Sequence, residues 1–296
     1  MFWKRLEIKE AIFKTLVYAD IFDYPPTIAE LWRYLISSKP IPYEMFKEEL
    51  KSLRIYTRCG RYFLGSTSII RIIIVRRQES KKKLRKARKI ANILFRIHTI
   101  ELIGISGALA MNNSDKNDDI DFFIITSKKT LWITRLLVLM VLEFLGVRRK
   151  RQQQNVSDTI CVNMFLTEEA LKLPFVKRDL YTAHEIAQMK PLFDRNNMYK
   201  KFISVHTWVE RYLPNALKHR TLRNNTRSHM ENFSWTQFLV RQCLVFESLA
   251  RTVQLFSIKR HKTTEIVSDS LLAFHPYDYR SRILKEYKRK LEKYEI

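Results

Sequence analysis

Residues 104–126 read Gly104-Ile105-Ser106-Gly107-Ala108-Leu109-Ala110-Met111-Asn112-Asn113-Ser114-Asp115-Lys116-Asn117-Asp118-Asp119-Ile120-Asp121-Phe122-Phe123-Ile124-Ile125-Thr126. Their order is strand end, small-residue turn, acidic strand. Successive strand side chains alternate faces and rise about 3.3 Å each, so Asp119 and Asp121 point the same way, about 6.6 Å apart along the strand. Ile120 faces the other way, and the unbroken run Phe122 to Ile125 suits a central strand buried on both sides. Two carboxylates so placed can share a divalent cation. Mg²⁺ in particular is held by one or two carboxylates plus substrate phosphates, so a nucleotide would complete the site. Upstream, Ile100 to Ile105 reads as a strand ending at Ser106-Gly107. A residue without a side chain there lets backbone amides approach a phosphate, and Ser106 adds a hydroxyl.

Two other readings of the acidic cluster compete. Asp115, Asn117, Asp119 and Asp121 have the spacing of the first four ligands of a calcium loop. That loop needs glycine where Ile120 stands and a bidentate glutamate where Thr126 stands. A solvated polar turn explains Asp115 and Asp118. It does not explain Asp121, which is committed to an apolar strand where an unpaired charge is costly.

The small-residue turn followed after about ten residues by Asp-x-Asp resembles the nucleotidyltransferase superfamily related to DNA polymerase beta. Three further stretches resemble an uncharacterised prokaryotic branch of it: Leu131-Trp-Ile-Thr-Arg-Leu-Leu, Ile160-Cys-Val-Asn-Met-Phe-Leu-Thr, and the segment from Leu180 to Leu192. The resemblance places Gly107 and Ala108 on the small-residue pair and Asp119 and Asp121 on the metal pair. Ala108 departs from the usual serine or glycine. Family members commonly carry a third carboxylate on a later strand, where this chain has Asn163. Asp158 precedes that strand, Thr159 to Leu166, and Glu168 follows it; either would need a bend to reach the metals.

The chain has 296 residues, 46% hydrophobic and 12% aromatic, enough for two or three domains with real cores. Lys and Arg number 54 against 30 Asp and Glu, a formal charge of +24. Such an excess implies a polyanionic partner, nucleic acid first and acidic lipid second, and equally suits a site that attracts a nucleoside triphosphate. Three scattered cysteines and seven scattered histidines offer no disulfide framework and no zinc spacing. They fit a reducing cytoplasm. The N-terminus lacks a signal peptide's apolar core, so the expected location is cytoplasmic. The longest apolar stretch, Leu131 to Val147, is interrupted by Arg135 and Glu143 and falls short of a membrane span.

Three segments are expected. In residues 1–75, helices over 8–19, 27–35 (opened by the capping box Thr27-Ile-Ala-Glu30) and 43–53 precede a hairpin around Cys59-Gly60. This is the order of a winged-helix module. The third helix, with Glu44, Lys47, Glu48, Glu49 and Lys51, carries one net negative charge. That favours protein contact over DNA reading, because a helix facing phosphates should be basic. Residues 76–195 would form the nucleotidyltransferase domain, led by a helix with nine basic residues and one acid between Arg76 and Lys89. That run is either a solvated face or a contact for nucleic acid or another polyanion. Arg135, one turn into the helix from Leu131, either reaches a phosphate or pairs with a carboxylate of the domain. His184, beside Glu185 in a helical stretch before Pro191, reads as a packing residue and receives no role. Residues 196–296 show helical spacing over 199–213, 235–256 and 281–294 and no convincing strand. Phe233, Trp235 and Phe238 line either a pocket or a core.

The expected fold is therefore mixed α+β, a small nucleotidyltransferase-type sheet with helices between a winged-helix-like and a helical module. The function implied by the resemblance is metal-dependent transfer of a nucleoside monophosphate from a nucleoside triphosphate, as in an ATP-binding transferase, to an unidentified hydroxyl. Asp119 and Asp121 would hold one or two Mg²⁺; Ser106, Gly107, Ala108 and Arg135 would hold the phosphates. The alternative is a catalytically degenerate domain of the same fold that binds nucleic acid or another polyanion. A third class is a membrane-surface protein using Leu131 to Arg151.

Overall fold

The computed structural model describes residues 2–150, 153–217, 246–256, 258, 266–273 and 279–295. Helix α1 (Phe2–Asp20) ends ahead of Tyr24-Pro25-Pro26, and α2 (Ile28–Arg33) starts on the predicted capping box, with Thr27 and Glu30 bonded reciprocally. Helix α3 (Tyr43–Ser52) packs its buried Glu49 toward α1, where Lys9 lies 3.3 Å away. Strands β1 (Tyr56–Arg58) and β2 (Arg61–Phe63) close around Cys59 and Gly60, both at positive φ (54° and 68°). Two consecutive left-handed residues match the twist of a tight hairpin.

The long α4 (Ile69–Leu94) leads into a six-stranded sheet. Its strands are β3 (Ile100–Ile105), β4 (Ile120–Thr126), β5 (Ile160–Thr167), β6 (Lys190–Asp194), β7 (Ile266–Val267) and β8 (Leu271–Ala273), in spatial order β6-β3-β4-β5-β8-β7. Only the β4–β5 pair is parallel. The other helices include α5 (Gly107–Ala110), α6 (Leu131–Phe144), α7 (Leu180–Gln188), α8 (Met198–Ser204) and, near the C-terminus, α9 (Tyr279–Lys293); residues 246–256 are helical as well. The fold is α+β, as expected. Central β4 is apolar on both sides for the anticipated reason: Phe123 and Ile125 enter one core, Ile120, Phe122 and Ile124 the other.

Three strands were not legible. β6 begins Lys190-Pro191, and a proline argues against a strand except at an edge, which is where β6 lies. β7 and β8 span two and three residues, too few for a periodic signal. They correct the expectation of no strand beyond Asn196, since β8 pairs with β5 through Leu271, Leu272 and Ala273. Among the predicted helices of the last segment, 199–213 is α8 followed by a 3₁₀ turn at Thr207–Arg211. Phe233, Trp235 and Phe238 lie outside the described residues.

The three sequence segments share one core. Val17 and Tyr18 of α1 pack in the same buried cluster as Leu102, Phe123, Leu213, Ile283 and Tyr287. Polar ties reinforce it: Lys290 pairs with Asp20, Ile41 N donates to Asn215 Oδ1 at 3.2 Å, and Asn215 Nδ2 donates to Trp32 O at 3.1 Å. Helix α6 is held likewise. Its first amides, Trp132 N and Ile133 N, donate to the carboxylate of Glu247, each at 2.8 Å, satisfying donors that a helix N-terminus leaves open. Among the described residues no helix is long and apolar enough to cross a membrane.

Candidate active site

Asp119 stands one residue ahead of β4 and Asp121 one residue inside it. Counting by twos places Asp121 on the face of Phe123 and Ile125, toward the core that α7 covers. The alternation read from the sequence does bring the two acids together. Carboxylate oxygens of Asp119 and Asp121 and the Cys161 Sγ all lie within 4.8 Å of one another.

The glycine turn closes directly on this pair. Ser106 N donates to Asp121 O at 3.2 Å, and Gly107 adopts φ +63°. A Cβ built there would lie 2.9 Å from Asp121 Oδ2. Position 107 therefore needs glycine twice, for its left-handed backbone and for the carboxylate packed against it.

Cross-strand register supplies the neighbours. Parallel pairing sets Asp121 beside Cys161. Asn163, two residues on, donates Nδ2 to Asp121 Oδ1 and accepts from Cys161 Sγ at 2.8 Å. Arg149 donates to Asp119. Burial, then the charge of Asp119, pushes the Asp121 carboxyl well above its ordinary range, against the pull of Asn163 and Arg149. The Cys161 thiol is pushed up too, first by burial and then by the two aspartates. A thiol that stays protonated is a poor metal ligand. The donor set is thus two carboxylates in need of positive charge, which fits a hard cation such as Mg²⁺ and does not fit a thiolate-seeking metal.

Of the acids weighed from sequence as third partner, neither is at the site. Asp158 pairs with Lys83 at 3.1 Å. Glu168, at the opposite end of β5, accepts from Lys128 N at 3.1 Å. Of the other carboxylates lining the cleft, Glu30 is held in the α2 capping box and Asp118 accepts from Asp115 N at 2.7 Å, while Glu185 on α7 lies at the glycine turn. Glu185 accepts the Gly107 N–H, and burial pushes its carboxyl up to about 7. A signal was present: a lone acid in the otherwise uncharged run Leu180 to Gln188, apart from His184, faces the interior at helical spacing from Tyr181.

Arg135 does not line the cleft; its guanidinium donates to Gln254. The arginine beside the aspartates is Arg149. It was visible only as part of the basic flank at residues 148–151, and a bridge between Arg148 and Ile160 sets it there.

The cleft has a volume of about 470 Å³. One wall is the turn at Ser106, Gly107 and Ala108; the other comes from α1 and α2 and the residues that flank them, through Tyr18, Phe22, Tyr24 and Tyr34. The N-terminal segment thus lines the cleft. His184 of α7 is buried against this wall, stacked on Tyr18 with ring centroids 4.1 Å apart. Burial lowers its pKa from 6.5 to about 3. A histidine buried neutral contributes stability that is present above pH 6.5 and is lost as pH falls toward 3. Glu185, raised, acts oppositely: it costs stability as pH rises from 4.5 through 7. Comparing His184→Phe with the parent isolates the first effect. Urea unfolding at pH 6.5 and about pH 4.5 should show the parent losing about 2–3 kcal/mol more than the variant over that interval. Equal losses would contradict a neutral buried imidazole.

No family model matches the chain, and no curated protein does. Among solved structures, a chain from the crystal structure of a toxin-antitoxin with AMP-PNP is similar at 14% identity and a TM-score of 0.27, over 42% of this chain and 89% of that one.

Proposed function

We propose that the protein is a metal-dependent nucleotidyltransferase. The observation that carries this reading is the glycine turn at Gly107 packed onto Asp121, with Asp119 alongside, at the floor of a cleft large enough for a nucleoside triphosphate. Asp119 and Asp121 would hold Mg²⁺, which neutralises charge on the phosphates when bound. Ser106 and the backbone at Gly107 and Ala108 would face the phosphates. Arg149 takes the role first assigned to Arg135, because Arg149 lies at the aspartates and can exchange its contact with Asp119 for a phosphate oxygen. In the reaction an acceptor hydroxyl oxygen bonds to the α-phosphorus. The bond to the bridging oxygen breaks, and pyrophosphate leaves with that electron pair. The hydroxyl proton passes to Glu185, the cleft carboxylate at the glycine turn.

In this reading residues 1–75 form a winged-helix-like segment that serves as a wall of the site, residues 76–195 the transferase domain, and residues 196–296 the segment that completes the sheet and clamps the wall. A second reading keeps the fold and removes catalysis. It is favoured by Asn163 in place of a third strand carboxylate and by the exposed Arg77, Lys81, Arg85, Arg88 and Lys89 on α4, a face suited to nucleic acid or another polyanion.

Counting bound Mn²⁺ by electron paramagnetic resonance, in the presence of a non-hydrolysable ATP analogue, tests the metal role. The parent should take up Mn²⁺ with micromolar affinity, and Asp121→Asn should lose that binding at least 100-fold. Equal uptake by the two would remove Asp121 from the metal site.

A further inference from the structure

A second cavity, about 250 Å³, opens beside the first. The two share Ser106, Asn163, Tyr181, Glu185 and Tyr279, so they meet at the aspartate end of the cleft. Asp119, Asp121 and Arg149 belong only to the larger one. Away from that junction the smaller is walled largely by apolar side chains, Phe123, Met164, Met189, Phe202 and Leu271 among them. Besides the shared residues, its polar groups are Thr182 and two cations, Lys177 and Arg280. Arg280 is engaged by Asp179 and by Val176 O at 2.8 Å. Lys177 has no ion-pair partner among the described residues.

These features select an occupant. The volume lies below the roughly 300–1,000 Å³ of pockets for drug-sized ligands, so it is too small for a second nucleotide. The wall is apolar and lacks the basic, base-stacking groove that a nucleic-acid strand follows. The half-buried Lys177, uncommitted at the chamber, offers its charge to one anionic group on the ligand, which would draw the pair out of water together. The junction with the cleft, at Glu185, is where a hydroxyl would meet both the proton acceptor and the phosphate.

We propose that this chamber binds the second substrate, a small hydroxy acid with an apolar body, its carboxylate toward Lys177 and its hydroxyl toward Glu185. The proposal rests on the nucleotidyltransferase reading. In chemical terms the product is a nucleoside monophosphate ester of that hydroxyl. The oxygen–phosphorus bond forms as the α–β bridging bond breaks, the proton goes to Glu185, and pyrophosphate departs.

The test uses the full chain and ligand-observed NMR with 4-hydroxyphenylacetate, 3-phenyllactate and salicylate, each against its methyl ester. Thr182→Trp fills the chamber from a residue absent from the larger cleft, and Lys177→Glu reverses the uncommitted charge. The expected result is that at least one acid binds in the millimolar range or tighter and its ester at least tenfold more weakly. Both variants should lose the acid at least tenfold while Mg²⁺-ATP affinity stays within twofold. Acid binding that persists in both variants, or no binding by any of the acids, overturns the proposal. So does loss of Mg²⁺-ATP in Thr182→Trp, which would make the chamber part of the nucleotide site. If Mg²⁺-ATP fails to bind the parent while the acids bind and respond to both variants, the transferase reading falls and the acid site stands.

Discussion

Replacing Lys83 with Met is expected to destabilise the protein by about 3 kcal/mol, the loss typical of removing one partner from a buried charged network. Lys83 is 1% exposed. Its ammonium donates to Lys116 O at 3.1 Å, Asp118 O at 2.6 Å and Asp158 Oδ1 at 3.1 Å. Methionine keeps the volume, so the loss measures the polar contacts. Those contacts anchor the loop that delivers Asp119, and nucleotide affinity should fall with stability. Asp158 can rehydrate because half of its side chain is exposed, which keeps the cost below that of a fully stranded ion. Lys81→Met, at an exposed position two residues away, is the control and should change stability by less than about 0.5 kcal/mol. Urea denaturation of the three proteins decides it. A loss in Lys83→Met no larger than in the control would mean that the loop is held by other contacts.

Gly107→Ala is expected to weaken Mg²⁺-nucleotide binding at least tenfold while costing only about 1–2 kcal/mol of stability. Two effects add. An alanine at φ +63° is strained by about 1 kcal/mol. Its methyl would also sit 2.9 Å from Asp121 Oδ2, and that carboxylate cannot simply swing aside because Asn163 holds its other oxygen. Gly146 separates the effects. It has nearly the same φ, +65°, with nothing within 4 Å of a built Cβ, so Gly146→Ala should lose stability without losing nucleotide affinity. If the two variants bind Mg²⁺-ATP equally well, the turn does not bear on the carboxylate pair.

What could be read without coordinates followed from how local its cause was. The Asp119/Asp121 alternation, the capping box at Thr27 and the Cys59-Gly60 hairpin are each set by neighbours within a few residues, and each is present in the structure. The roles of charged side chains were less legible, since a basic run names no face. Lys83 sits among the nine cations of 76–89 yet turns inward to hold the acidic loop, while Arg77, Lys81 and Arg85 remain exposed. Glu185 and Arg149 reach the site from 64 and 28 residues beyond Asp121 by tertiary packing that no local pattern encodes. The cleft wall from α1 and α2 was hidden for the same reason. A three-helix module with a hairpin reads as independent until Tyr18, Tyr24 and Tyr34 are found lining the same cleft as Asp119.

Calorimetric titration of the parent and of Asp121→Asn with ATP, CTP, GTP and UTP, each with and without Mg²⁺, tests the central claim most directly. Asparagine preserves the shape of a carboxylate that burial and Asp119 already hold toward its neutral form, so the variant should fold and keep its metal-free stability. The account predicts micromolar binding of at least one nucleotide to the parent with Mg²⁺, and at least 100-fold weaker binding without the metal or in the folded variant. Binding of no nucleotide by the parent, or equal affinity in Asp121→Asn, would contradict it.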